Sequence, residues 1–104
     1  MSELEITIKP SPLSLMMNTG YHDFESSAGI VGMAKIENDI LSLLAVVATE
    51  KGTGQFRTFI ALAKEQFKTI EVLEVWDLVL ATVLMRYGFQ RPDGVQNIFV
   101  WSKE

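Results

Sequence analysis

Nine residues from Ile40 to Ala48 make an apolar run interrupted only by Ser42, and that run, joined to the loop and helical stripe after it, leaves few folds open. Bounded by Asn38-Asp39 on one side and by the glycine-bearing loop Glu50-Lys51-Gly52-Thr53-Gly54-Gln55 on the other, it reads as a strand buried on both faces. Phe56, Phe59, Ile60, Ala63 and Phe67 then recur at spacings of three and four, the apolar stripe of a single helix. Thr69 to Val75 is short and rich in branched residues, so it reads as another strand. Parallel neighbours need a crossover of about a dozen residues, and Lys51 to Lys68 supplies one. Ile40 to Ala48 is therefore expected beside Ile70 to Val75, parallel to it and central in a sheet.

The rest of the chain fits around that unit. Leu4, Ile6 and Ile8 alternate with Glu3, Glu5, Thr7 and Lys9, a strand with one wet face that Pro10 and Pro12 end. Gly29 to Glu37 reads as a strand joined to the apolar run through the tight turn Asn38-Asp39. Between them the signal is mixed: Leu13, Met16 and Met17 suggest a short helix, while Gly20 and the polar stretch Asp23 to Ser27 read as connection. Asp77 is placed to cap a helix running to Tyr87, where Gly88 supplies the stop. Phe89 to Glu104 carries Pro92-Asp93-Gly94 between extended stretches, so a closing hairpin is expected. The fold class is α/β (α+β), a mixed twisted sheet flanked by helices.

Composition narrows the function. A chain of 104 residues, 48% apolar and 21% charged, suits one core and a single domain over residues 1–104. It has no cysteine and one histidine, His22, which removes thiol nucleophiles and thiolate metal sites and leaves no case for a metal centre. With 9 basic against 13 acidic residues, nothing suggests a nucleic-acid partner. Met1 to Pro10 lacks the pattern of a signal peptide, and the apolar run is about half the ~20 residues a membrane span needs. A soluble cytoplasmic protein with no membrane partner is expected.

The passage from buried strand through Gly52-Thr53-Gly54 into a helix carries the most chemistry. Backbone N–H groups at a helix start, approached through glycines, can cradle a phosphate. The same spacing also serves as an ordinary tight turn. Neither the P-loop spacing nor the dinucleotide fingerprint is present.

Val46-Val47-Ala48-Thr49-Glu50-Lys51-Gly52-Thr53-Gly54-Gln55-Phe56, the helix to Phe67, the strand Ile70 to Val75 and the segment Asp77 to Phe89 ending in Tyr87-Gly88-Phe89 together resemble the acyl-CoA-binding half of the GNAT family of N-acetyltransferases. That family's loop pattern is Gln/Arg-x-x-Gly-x-Gly/Ala, and Gly52 and Gly54 fill its small positions. Its later pattern, Asn-x-x-Ala leading to a Gly-Phe pair, is echoed by Asp77 and Gly88-Phe89. The resemblance covers roughly the last three-quarters of the chain, Gly29 to Glu104, and the acceptor-binding part of the fold is abbreviated at the N-terminus.

The resemblance implies acetyl-CoA or coenzyme A as cofactor. The backbone N–H groups of Lys51, Gly52, Thr53, Gly54 and Gln55 would hold the pyrophosphate, and the strand end at Leu44, Ala45 and Val46 would pair with the pantetheine arm. Departures fall on side chains: Thr49 stands where Gln or Arg is expected, Asp77 for Asn, Leu80 for Ala, and Leu84 for the tyrosine that protonates the leaving thiolate. An aliphatic side chain is no general acid. Tyr87 is the substitute acid on offer, ~4.5 Å further along the helix, and Glu37 and Glu50 are the nearest candidate bases; each also fits an ordinary packing or solvated-turn role. His22 reads as a surface residue, while Trp76, Trp101 and the methionines read as core or interface.

Two functions are compatible with these features. One is an acetyl-CoA-binding domain, a weak N-acetyltransferase at most. The other is a catalytically silent domain of the same fold serving in assembly or protein interaction, as in a bacteriophage virion or host-directed protein, located in the host cytoplasm or the particle. The helix Asp77 to Tyr87 is apolar nearly all round, which predicts a homodimer or a protein partner through that helix and the final strand, Phe99 and Trp101.

Overall fold

The structure is a computed structural model, and it describes residues 4–9, 20–50, 54–95 and 97–103. Six strands form one sheet in chain order: β1 (Ile6–Lys9), β2 (His22–Ser26), β3 (Ile30–Glu37), β4 (Ile40–Ala48), β5 (Thr69–Leu73) and β6 (Phe99–Ser102). Helix α1 (Gln55–Gln66) connects β4 to β5, and α2 (Leu78–Arg86) lies between β5 and β6. All neighbours are antiparallel except β4 and β5, which run parallel with Ile40 opposite Thr69 and Leu44 opposite Leu73. The α1 crossover thus joins the parallel central pair that the apolar run and the helical stripe imply. The result is a mixed α+β domain.

Asn38 and Asp39 both take positive φ, 51° and 65°, the geometry that lets a two-residue turn follow the twist of its strands. The Asp39 carbonyl then accepts from Lys68 N at 3.0 Å, tying the hairpin to the return of the crossover. Leu41 and Leu43 of β4 lie beside Ile70 and Val72 of β5, and Phe59, Ile60 and Ala63 of α1 belong to the same buried cluster. Phe59 reaches Phe24 on β2 with ring centroids 6.2 Å apart, so α1 spans the sheet from its centre toward β2.

Several expectations change. Asp23 to Ser26 is not connection but part of strand β2: Phe24 is buried while Asp23 and Glu25 are exposed. One aromatic in a polar background supplies too little apolar periodicity to reveal the strand. Burial of β4 on both faces holds for Leu41, Ser42 and Leu43 but fails beyond them, since Ala45 and Val47 are exposed. The closing hairpin reduces to one antiparallel bridge, Gln90 to Val100, while β6 pairs mainly with β5. Phe99 is buried and Trp101 half-buried. Trp76 is exposed, which removes core from the two roles expected for it, core or interface, and His22 is half-buried with no partner for Nδ1 among the described residues. The helix suggested by Leu13, Met16 and Met17 lies outside the described residues. No described helix is long and apolar enough to cross a membrane.

Candidate functional site

The two parallel strands separate at a defined point. Val31 pairs with Val47, but Met33 pairs with Leu44, so β4 holds one more residue than β3 across that interval, a β-bulge. Ala45 in the bulge has φ 55°. The ladder to β5 ends at Leu44 and Leu73, and Glu74 directly after it also has positive φ, 58°. Past Leu44, therefore, β4 runs on without a strand on its β5 side. Val75 N instead bonds Asn97 O at 2.9 Å, carrying the other chain away.

A groove of about 280 Å³ opens there, lined by Val46, Val47, Phe56, Asp77, Val79, Leu80 and Val83. Its walls are the end of β4 and the first turns of both helices. Asp77 is the one charged lining residue, and its side chain accepts from Val79 N at 2.9 Å, which is the cap that sets where α2 starts. An apolar groove with exposed main chain along one wall suits a flexible ligand that carries amide groups.

At the mouth of the groove α1 begins. Gly54 is its N-cap with φ 80°. Among the described residues no side chain caps the first N–H groups of α1, the groups through which a helix start can take an anion. A Cβ built on Gly54 meets no described residue within 4 Å beyond its chain neighbours. Gln55 folds back: its Oε1 accepts from Glu50 N at 2.7 Å, and its Nε2 donates to Thr49 Oγ1 at 3.2 Å. Gly29 on the neighbouring turn makes room for that amide, since a Cβ there would lie 2.0 Å from Gln55 Nε2. The two ends of the loop are thereby pinned together, and the Thr49 position does its work by holding Gln55.

Of the residues assigned to coenzyme A by resemblance, Leu44, Ala45 and Val46 lie at the splay and Gly54 and Gln55 at the helix start; Lys51, Gly52 and Thr53 lie outside the described residues. The catalytic candidates do not converge. Glu37 pairs with Ile40 at the other end of β4, roughly 20 Å from the groove at strand rise. Glu50 is exposed on the loop that precedes α1. Tyr87 is the half-buried C-cap of α2, about 6 Å along the axis from Val83, and its carbonyl accepts from Lys64 Nζ. Leu84 is fully buried in the core. Among the described residues no group of three or more His, Asp or Glu side chains is placed to hold a metal.

Sequence reasoning missed Gly32, Phe56 and the groove wall of α2. Gly32 sits across from the bulge, where a Cβ would come within 2.8 Å of Ala45 O and 2.9 Å of Val46 Cα. Phe56 and Val83 looked like core stripes alone, and they are half-buried because they also face the groove. No protein-family model matches this chain, and no curated protein matches it.

Proposed function

We propose that this chain is a GNAT-like domain that binds coenzyme A thioesters and transfers their acyl groups slowly or not at all. The observation that carries the proposal is the splay of β4 from β5 at Leu44 and Leu73, opening an apolar groove that ends at the start of α1, which no described side chain caps. The main chain of β4 past Leu44 takes the amides of the pantetheine arm. The first N–H groups of α1, with the helix dipole behind them, take the pyrophosphate. Val46, Phe56, Leu80 and Val83 shed water around the arm. All of the polar recognition is by main chain, which explains how such a site survives the side-chain departures at Thr49, Asp77 and Leu84.

Bound thioester would supply an activated acyl group, but the residues around it supply little acid or base. Leu84 has no proton to give, and loss of a general acid removes about 10²–10⁴-fold in rate. Calorimetry with acetyl-CoA tests the binding. Saturable binding that is lost in Gly54→Val is expected, because a branched side chain both resists φ 80° and crowds the helix start. No binding at millimolar ligand would make the loop only a turn. Turnover with a small amine at ordinary rates would contradict the second half of the proposal, and Tyr87→Phe would then show whether Tyr87 is the acid. The second reading, a silent domain used in assembly, is favoured by the exposed apolar side chains at the start of α2.

A further inference from the structure

Trp76, Leu78 and Val79 are the most exposed large apolar side chains among the described residues, at 72%, 78% and 71%, and Met85 is exposed at 50%. The exposed residues of α2 are Leu78, Val79, Thr82, Met85 and Arg86. At 100° per residue they cover about 120° of the helix circumference with Thr82 at the middle. Leu80, Val83, Leu84 and Tyr87 turn the other way, half-buried or buried. Two polar groups on the outward face already have partners within the chain. Thr82 Oγ1 donates to Leu78 O at 2.8 Å, and Trp76 Nε1 donates to Glu74 Oε2 at 2.8 Å. Covering this face would strand neither donor.

We infer that the occupant is a second copy of this chain, α2 packing antiparallel on α2 about a two-fold axis at Thr82. The face is self-complementary in that arrangement. Residues about equidistant from Thr82 on the same side of the axis meet, so Leu78 packs on the partner's Met85, and Val79 lies along the stem of the partner's Arg86. Glu74 and Asp77, acidic and at the start of the helix, come near the partner's Arg86 at its end, and this opposes charges within a chain whose net charge is −4. Thr82, the smallest exposed residue of the stripe, stands at the axis and lets the helices approach closely. A single helix face lies at the low end of size for a specific interface, so a weak, reversible dimer is expected. Val79 lines the groove as well as this face, and the interface requires no ligand in the groove.

Sedimentation velocity of the purified chain tests this. A reversible dimer at micromolar concentration is expected. Met85→Glu should weaken it by at least about 30-fold, as for a contact residue that carries much of the binding, and adding Leu78→Lys should restore it by pairing the new charges across the axis. The absence of cysteine gives a second measurement. Thr82→Cys introduces a single thiol that should oxidise to a covalent dimer, whereas Glu65→Cys, exposed on α1, should not. A wild-type monomer over this range, including one that docks only on a different protein, overturns the inference. So does a dimer that Met85→Glu leaves intact, or a Glu65→Cys that cross-links while Thr82→Cys does not.

Discussion

Gly32 shapes the groove from the strand behind it. The extra residue of the bulge brings the Ala45 carbonyl and the Val46 Cα against Gly32, and any side chain would push β4 back. Gly32→Ala should cost about 1–3 kcal/mol, as overpacking does, and weaken coenzyme A binding in parallel; urea unfolding and calorimetry on the same sample check both. Nothing in the sequence marks Ala45, because alanine is not a residue that favours φ 55°. Asn38 and Asp39 are readable as a turn for the opposite reason, being among the types that accept positive φ.

Lys64 is the other residue whose role required three dimensions. Its ammonium donates to Tyr87 O and lies 5.1 Å from the Trp101 ring centroid, joining the last turn of α1 to the end of α2. Desolvation by burial holds its pKa below the ordinary lysine value of 10.5. Between the lowered value and 10.5 the unfolded chain binds more protons than the folded one, so this group makes stability rise as pH climbs through that window. Lys64→Met should lose about 1 kcal/mol at neutral pH through the missing hydrogen bond. Its unfolding midpoint should also lack the upward contribution at alkaline pH, which paired urea titrations of wild type and variant would reveal.

At the level of elements, most boundaries come from local chemistry. Asp77 caps α2 through Val79 N, and Gly88, φ 91°, closes it with Phe89 N bonding Leu84 O at 3.0 Å. Asp77→Ala should therefore cost about 1 kcal/mol of stability. It should also loosen the groove wall at Val79 and Leu80, read as faster amide hydrogen exchange in the first turn of α2 with the second turn unchanged. Strand β4 and helix α1 are legible for the same local reason, a strong pattern at one period. Strand β2 is not, since its place depends on pairing with β1 and β3 more than on its own composition.

For the whole molecule, the decisive inference from sequence is the parallel pair. An apolar strand, a crossover helix and a second short strand admit one arrangement, and β4 and β5 take it. The divergence that opens a groove beside the pair was not legible. It depends on a bulge at Ala45, a turn at Glu74 and the absence of a side chain at Gly32, three separate places in the chain that act on one another only after the sheet forms. The glycine-bearing loop follows the end of β4 at which the groove opens, while the wall of the groove came from α2 residues that read as packing.

Whether the groove is a coenzyme A site is decided residue by residue in a titration with coenzyme A, with amide shifts read by heteronuclear NMR. Saturable changes are expected, confined to residues 44–47 of β4, the start of α1 at residues 54–57 and the first turns of α2 at residues 79–83, with β1 and β2 unmoved. Shifts centred on another surface, or none at millimolar coenzyme A, would contradict the assignment.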